Sequence, residues 1–324
     1  MIPLEITTKK NLLAFSAGID STALFFILLE NNIPFDIAIV DYNLREQSKD
    51  EVIYAHQLAL IYNKQIFLKE YPTSQKFNEK DARDFRHNFF KELISNYNYE
   101  ALLTAHQLND KLEWFLMQLS KGAGLVELMG MNKEENRDTY KVLKPLLDYS
   151  KDELQNYLDK NNHKYFIDNS NFDEKYKRNF IRHNFSNNFL AQYKNGVKNS
   201  FKYLNEDINI LTPNIQLKKF KDLSIYDISN LQDIQIIRLI DKELKARGII
   251  ISSSTRDEIL KQKQIVISNK ISISISKNNL WIAPFYQTTM DKRFKELCRI
   301  KKIPKNIRGY FFNYLEDNIL KSQF

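Results

Sequence analysis

The sequence predicts an α/β protein, in which a doubly wound and mostly parallel sheet is followed by a small α+β C-terminal domain. Three observations lead to this prediction. Short apolar segments alternate with helical segments through roughly the first 200 residues, which is the pattern of a parallel sheet covered by helices. The first apolar segment runs into a turn of small and hydroxyl residues and then directly into a helix. Beyond residue 208 the pattern changes to amphipathic helices and a strict alternation of Ile and Ser.

The elements of the first domain follow in the order βαβαβαβα. Strands are expected at 12–15, 36–40, 65–69 and 101–105, and helices at 22–31, 49–63, 79–95 and from 108 onwards. In open sheets of this kind ligands bind beyond the carboxyl ends of the strands. Here those ends carry Ser16, Asp41 and His106, so we expect the functional residues at this edge.

The later elements begin with a capping box, Ser150 with Glu153, that opens a helix. The expected helices are 151–161, 185–207, 233–247 and 255–263, and a small antiparallel meander with one buried face is expected at 265–267, 271–276 and 280–282. Pro213 lies in a plausible boundary at 209–217. The predicted domains are therefore 1–208, 218–285 and a basic tail at 286–324.

Composition excludes several classes of protein. Cys298 is the only cysteine of the 324-residue sequence, which rules out a disulfide framework, a CxxC redox pair and a four-thiolate metal site within the chain. The longest apolar run near the N-terminus, 23–29, is far shorter than the ~20 residues that span a bilayer, so we expect a cytoplasmic protein that does not contact membranes. The net charge of +8 suits a polyanionic partner. The oligomeric state stays open, and a homodimer is compatible with the sequence.

The turn after the first strand has the composition of a pyrophosphate cradle. Backbone N–H groups at a helix start point outward and carry the positive end of the helix dipole, so they suit a polyphosphate. Asp20 is a candidate ligand for the Mg²⁺ that accompanies ATP, and no Lys follows the turn as it would in the GxxxxGK[ST] loop. The predicted ATP-binding residues are Ser16, Ala17, Gly18, Ile19, Asp20, Ser21 and Asp41.

A second group of polar residues follows the fourth predicted strand. His106, Asp110 and Glu113 have the spacing i, i+4, i+7, so on a helix they share one face that can hold a cation or a proton. In the helix before that strand, Arg83 and Arg86 are spaced to grip a phosphate or a developing negative charge.

These segments resemble successive blocks of the bacterial tRNA(Ile)-lysidine synthetases, which belong to the PP-loop superfamily of N-type ATP pyrophosphatases. The turn resembles the SGGxDS signature of that superfamily, with Ala17 in place of the first glycine. The other matching blocks are 40–45 with Ser48 and Glu51, Glu79 with 82–83 and Arg86, 104–113, 121–124 with 130–131, 144–147, and 168–171 with Tyr176 and 178–182.

The resemblance implies a reaction and a set of roles. Such an enzyme adenylates the C2 oxygen of the wobble cytidine in a tRNA(Ile) with a CAU anticodon, and the ε-amine of free lysine then displaces AMP to give lysidine. By this resemblance Asp20, Arg86, His106, Asp110 and Glu113 are the catalytic candidates. The residues expected to bind lysine are Asp110, Glu113, Arg178 and Arg182.

The sequence departs from the family pattern at several positions, and other functions remain open. Besides Ala17, the departures are Gln107, Asn109, Trp114 and Lys121. They leave room for a degenerate nucleotide-binding or RNA-binding protein. A tRNA thiolase of the same superfamily would use paired cysteines, and an ammonia-using GMP or NAD synthetase would not need a basic tail.

The basic tail is the predicted tRNA contact. Residues 291–308 hold eight Lys and Arg against Asp291 and Glu296, a net charge of +6 that suits a row of phosphates. The resemblance implies that this stretch is a shortened second C-terminal domain. The candidate tRNA-binding residues are Lys292, Arg293, Lys295, Arg299, Lys301 and Lys302.

Overall fold

The computed structural model describes residues 2–43, 47–72, 78–137, 139–167, 177–211, 215 and 217–314. The chain divides into two units, Met1–Asn205 and Glu206–Phe324. Within the described residues, no helix is both long enough and apolar enough to cross a membrane.

A six-stranded sheet organises the first unit. Its strand order is β3-β2-β1-β4-β6-β5, and all neighbours are parallel except β5 with β6. This confirms the predicted mostly parallel α/β sheet. The strands are β1 (Asn11–Phe15), β2 (Phe35–Asp41), β3 (Ile66–Glu70), β4 (Ala101–Leu103), β5 (Glu134–Asn136) and β6 (Lys141–Leu143).

Eight α-helices belong to the described part of this half of the chain. They are α1 (Ile19–Glu30), α2 (Gln47–Ile61), α3 (Glu79–Tyr97), α4 (Leu108–Leu119), α5 (Leu125–Leu128), α6 (Lys151–Lys160), α7 (Lys177–Ile181) and α8 (Asn187–Leu211). A π-helical turn, Arg182–Ser186, joins α7 to α8. The helix α1 begins at Ile19 rather than at the expected residue 22, which places Asp20 in its first turn.

The core of the first unit lies on both faces of the sheet. Successive side chains of a strand point to opposite faces. Leu13 therefore packs in one apolar cluster with residues of α1, α2 and α6, whereas Leu12 packs in another with residues of α3. Because β1 is covered on both sides, its polar loop emerges only at the carboxyl edge of the sheet.

A five-stranded antiparallel sheet organises the second unit, with strand order β7-β8-β11-β10-β9. Its strands are β7 (Leu217–Phe220), β8 (Leu223–Asp227), β9 (Gln264–Ile267), β10 (Ile271–Ile275) and β11 (Asn279–Pro284). Its helices are α9 (Asp233–Ala246), α10 (Ser253–Gln262), α11 (Lys292–Ile300) and α12 (Arg308–Tyr314), with a 3₁₀ turn at Lys305–Ile307.

The expectation of one buried face for the meander is wrong, because all five residues of β10 are buried. Its isoleucines pack under α9 and α10. Ser272 and Ser274 pair with Ala283 and Trp281 on the other face, and the apolar cluster that holds those two residues is completed by side chains after residue 290. The basic tail therefore contributes core residues to this unit. The prediction that residues 286–324 form a separate domain stays a prediction, as do the other predicted domain bounds.

Candidate active site

The loop between β1 and α1 is closed by its own hydroxyl groups and by a distant segment. The backbone N–H of Ser16 donates to Oγ of Ser21 at 3.2 Å, and that hydroxyl donates to the Gly18 carbonyl at 3.3 Å. The N–H of Phe166 donates to the Ala17 carbonyl at 2.9 Å. Ser21 thus shapes the loop from inside. Its hydroxyl lies 3.1 Å from that of Ser16, an exposed residue at the helix start, where an anion binds most favourably.

Ala17 holds the left-handed backbone conformation that the superfamily signature assigns to glycine. Its φ is +56°, and its side chain is fully buried in the main apolar cluster. A non-glycine residue in this region costs about 1 to 2 kcal/mol. The methyl group offsets part of this cost through its burial, by about 0.8 kcal/mol.

Asp20 has an unusual environment in the first turn of α1. Its Oδ1 is buried without a hydrogen-bond partner among the described residues. Burial, and next the charge of Asp110, raise the pKa of Asp20 to about 7, although Lys151 and Arg182 oppose the shift. A buried carboxylate oxygen without a partner fits a cation, so Asp20 suits the predicted Mg²⁺.

The start of α4 brings the imidazole and the acids together. Gln107 caps this helix, since its side chain accepts from the Asn109 N–H at 2.5 Å. Oδ2 of Asp110 accepts from the Gln107 N–H at 3.1 Å, which fixes the carboxylate at the helix start. Nδ1 of His106 lies 3.0 Å from Oγ1 of Thr104, at the end of the strand β4.

Two arginines from α7 and the π-helical turn pair with the two acids of α4. Arg178 donates to Oδ1 of Asp110 at 2.6 Å and to Oε2 of Glu113 at 2.8 Å. Arg182 donates to Oε1 of Glu113 at 2.7 Å and to Oε2 at 3.1 Å. We call Asp110, Glu113, Arg178 and Arg182 the acid–arginine cluster. Glu113 has no exposed side-chain surface, whereas 44% of the Arg178 side chain is exposed.

Burial and the neighbouring cations favour the neutral form of the His106 ring. Burial is the largest effect and lowers the pKa of His106 below its usual 6.5, and the cations Lys144, Arg178 and Arg86 lower it further against the opposing charge of Asp110. Arg86 also forms a hydrogen bond with Tyr42. The predicted catalytic Arg86 therefore acts electrostatically on the predicted catalytic His106.

The departures from the family pattern have structural partners. The side-chain amide of Asn109 donates to Asn187 at 3.0 Å and accepts from the Lys151 N–H at 3.1 Å, so it links α4 to α8 and α6. Trp114 donates from its indole to the Glu127 carbonyl at 3.0 Å. The same ring lies where a Cβ on Gly130 would meet it at 3.2 Å, so the tryptophan and the glycine fit as a pair.

The predicted residues lie in three places: at the ends of β1 and β2, around Asp20 and the acid–arginine cluster, and in the basic stretch 292–302. Buried Asp41 ends β2, where it accepts from the Asn43 N–H at 2.8 Å, at the same edge of the sheet as Ser16. Asp20 lies within electrostatic reach of Asp110 and Arg182. The matching block at 168–171 and Tyr176 lies outside the described residues. The basic residues 292–302 belong to the second unit.

Comparison with known proteins gives the family. The sequence profile of the PP-loop domain matches residues 3–189. A tRNA(Ile)-lysidine synthase of Campylobacter jejuni (strain RM1221) is 43% identical over 317 residues, which cover 95% of this chain and 94% of the relative. The protein of that name from Wolinella succinogenes is 40% identical over 96% of this chain and 95% of its own length, and the one from Helicobacter pylori (strain 26695) is 38% identical over 94% and 89%. The chain belongs to the tRNA(Ile)-lysidine synthase family.

A solved structure supports the PP-loop fold of this chain. A U34-tRNA thiolase from Methanococcus maripaludis superposes with a TM-score of 0.50 and 16% identity, over 63% of this chain and 74% of that one. At that identity the likeness shows the PP-loop fold alone, and the thiolase alternative is not favoured by the full-length relatives.

Sequence reasoning missed two residues that act on the candidate site. Lys151 acts on the charge of Asp20, and Phe166 braces the loop through its backbone. The sequence indicated a helix start at Ser150 and Glu153. Lys151, which acts on Asp20, lies between them and belongs to no motif. The contact of Phe166 is made by a backbone N–H, which leaves no signal in the residue type.

Proposed function

We propose that this protein joins free lysine to C2 of the wobble cytidine of tRNA(Ile) with a CAU anticodon, using ATP and releasing AMP and pyrophosphate. The observation that carries the proposal is that Asp20, whose buried Oδ1 has no hydrogen-bond partner among the described residues, lies within electrostatic reach of the acid–arginine cluster at the carboxyl edge of the sheet. The full-length similarity to proteins named tRNA(Ile)-lysidine synthase supports it.

The nucleotide half of the site is assigned to the loop after β1. Backbone N–H groups and the Ser16 hydroxyl would bind the phosphates of ATP, with Asp41 at the neighbouring strand end. Asp20 would hold Mg²⁺, which neutralises phosphate charge when it is bound. No cluster of three His, Cys, Asp or Glu side chains is arranged to hold a metal in the described ranges, so phosphate oxygens would supply the other ligands. Arg86 would stabilise the charge that develops on the transferred phosphate.

The lysine half is assigned to the acid–arginine cluster. The exposed part of Arg178 can pair with the carboxylate of lysine while its inner nitrogens stay on Asp110 and Glu113. Each carboxylate oxygen has two lone pairs, so Asp110 can accept an ammonium group besides Arg178. Glu113 is buried, and both of its oxygens are occupied by the two arginines, so we assign it mainly to positioning them.

The proton of the attacking amine is assigned to His106. Lysine in water has a pKa near 10.4, so its ε-amine reaches the reaction as an ammonium group unless a base removes the proton. The lowered pKa of His106 keeps its imidazole neutral at pH 7, in the form that accepts a proton. The adjoining cations oppose a permanent charge on the ring, which favours its return to the neutral form.

The partners in this proposal are ATP with Mg²⁺, free lysine and the tRNA, and the location is the cytoplasm, where these substrates occur together. A homodimer stays a prediction. The candidate tRNA contacts Lys292, Arg293, Lys295, Arg299, Lys301 and Lys302 also stay predictions, although Arg299 pairs with Glu296 on its own helix at 2.7 Å.

One assay tests the proposed function. The full-length chain is incubated with ATP, labelled lysine and a tRNA transcript with a CAU anticodon, and incorporated lysine, AMP and pyrophosphate are measured. We expect equal amounts of the three products, and none with Asp20→Ala. The circular dichroism spectrum of this variant should match that of the parent, because Oδ1 of Asp20 makes no hydrogen bond to the described residues that the substitution would break. AMP release without lysine incorporation would point to another adenylating enzyme, and absence of nucleotide turnover would point to a degenerate binder.

A further inference from the structure

An exposed aromatic groove borders the acid–arginine cluster. It lies between α4 and the segment from the π-helical turn into α8, and has a volume of about 510 Å³. Phe185, Phe189 and Tyr193 follow one another at intervals of four residues along one side, and 51%, 49% and 55% of their surfaces are exposed. Three half-exposed rings in a row leave apolar surface in water, which indicates a surface that a partner covers.

The backbone of this segment is shaped irregularly at both ends of the row of rings. The π-helical turn Arg182–Ser186 contains the first ring, Phe185, and at the other end Tyr193 interrupts the helix with φ −123° and ψ 23°. A π turn inside a helix is often found at a functional site, because it changes the direction of the side chains that follow. Within this turn Arg182 contacts Glu113 and Phe185 lines the groove.

The charge of the segment indicates the class of partner. Residues 177–205 contain six Lys and Arg and no Asp or Glu. Four of the six cations pair with acids of other helices, Arg178 and Arg182 with the acids of α4 and Lys194 and Lys198 with Glu153 of α6. The polar side chains that line the groove are the amides Asn184, Asn188 and Gln192, which carry no charge and can both donate and accept hydrogen bonds. Rings beside neutral amides, in a segment that itself carries no acid to repel phosphate, are suited to an unpaired nucleobase.

We propose that this groove stacks an unpaired base of the RNA substrate next to the base that reacts. The proposal rests on the proposed function, because it takes the anticodon loop as the RNA. The groove shares α4 with the acid–arginine cluster, where Leu112 and Phe115 of the groove flank Glu113 in sequence. A base held there would fix the position of its neighbour toward the lysine site, so the groove acts as a positioning and specificity surface.

The test uses a short anticodon stem-loop RNA with the sequence CAU, in which 2-aminopurine replaces the anticodon adenine. Stacking on a ring quenches its fluorescence. We expect quenching with the parent chain, and with Phe189→Ala a loss of quenching and about tenfold weaker binding at fixed salt. Phe189→Tyr should restore both, since it keeps the ring, whereas Phe189→Leu, which keeps only apolar surface, should not. Tyr203→Ala is the matched control, because Tyr203 is 61% exposed on the same helix and does not line the groove.

Several outcomes would overturn the stacking. The first two are parent-like quenching and affinity in Phe189→Ala, and full recovery of both by Phe189→Leu. The third is that Phe189→Ala weakens the binding of ATP and not that of RNA. The fourth is that Phe189→Ala changes a dimer to a monomer and leaves RNA binding intact, which would assign the groove to a second copy of the chain. A parent chain that fails to bind the stem-loop also overturns it. Quenching by a parent chain that transfers no lysine would support the stacking and refute the proposed function alone.

Discussion

Glu113 and Arg182 form a two-pronged ion pair, with Nε on Oε1 at 2.7 Å and a terminal nitrogen on Oε2 at 3.1 Å. The carboxylate has no exposed side-chain surface, and Arg182 is 18% exposed. A pair removed from water in this way is costly to break, because the remaining partner keeps a buried and uncompensated charge.

We therefore expect Glu113→Gln to lower the free energy of unfolding by about 3 kcal/mol. The double variant Glu113→Gln with Arg182→Gln should recover part of this loss, because the charge of Arg182 is removed while Arg178 keeps its ion pair with Asp110. Urea denaturation of the parent, the two single variants and the double variant measures the coupling. Additive single effects would show that the pair is not coupled.

Asp110 offers a cleaner view of lysine binding than Glu113, since 12% of its side chain is exposed, whereas the Glu113 side chain has no exposed surface. Asp110→Asn should raise the KM for lysine about tenfold or more, through the loss of a charge-assisted contact, and change the KM for ATP much less. Asp152→Asn, an exposed first-turn acid of α6, is the control. A rise confined to the KM for ATP would remove Asp110 from the lysine site.

Ala17 tests the backbone of the phosphate loop. With φ at +56°, Ala17→Val would place a branched Cβ in the left-handed region and should destabilise the protein by about 2 kcal/mol or more. Ala17→Gly should change the stability by less than about 1 kcal/mol, because relief of strain is offset by the greater backbone freedom of glycine in the unfolded chain and by the lost methyl. Thermal and urea unfolding of both variants check this, and a Val variant as stable as the parent would contradict it.

The pH dependence of lysine transfer follows from His106. Its pKa lies below 6.5 in the folded protein, so the neutral base persists at pH 7 and the acid limb of kcat should fall below pH 6.5. Protonation favours the unfolded state, so the stability that His106 contributes is fully present above pH 6.5 and is lost as the pH falls below that value. His106→Gln should abolish most of the rate and the acid limb, whereas exposed His56→Gln should keep both. An unchanged profile in His106→Gln would assign the proton to another group.

The order of the first four strands and their helices was predictable, because β1, β2 and β4 are buried apolar runs, each followed by a helical segment. The strands β5 and β6 were not predicted, since they are three residues long and β5 is polar. The pairing of Arg178 with Asp110 was not predictable, since it joins residues 68 positions apart and depends on how α7 meets α4.

The prediction for the basic tail rested on its charge alone. Phe294 and Cys298, four residues apart among the lysines, form an apolar stripe that packs on the second sheet, and this stripe is too short to stand out in sequence. The aromatic groove was missed for a similar reason, because its rings alternate with polar residues along a helix.

The basic strip on α11 is best tested by charge, since ending the chain near Tyr286 would remove core side chains such as Phe294 and Phe311 and expose the sheet. Lys292 and Lys295 are exposed on the outer face of the helix.

Cations that neutralise phosphates release counterions, so each lost contact lowers the salt dependence of binding by somewhat under one unit. Lys292→Gln with Lys295→Gln should weaken tRNA binding and flatten its salt slope by about one to two units, with unchanged affinities for ATP and lysine. Lys242→Gln with Lys261→Gln removes equal charge from exposed positions on α9 and α10, which cover the opposite face of the same sheet, and should have a smaller effect. Equal slopes for the two double variants would mean that α11 acts only through the net charge of the protein, and that tRNA is held elsewhere.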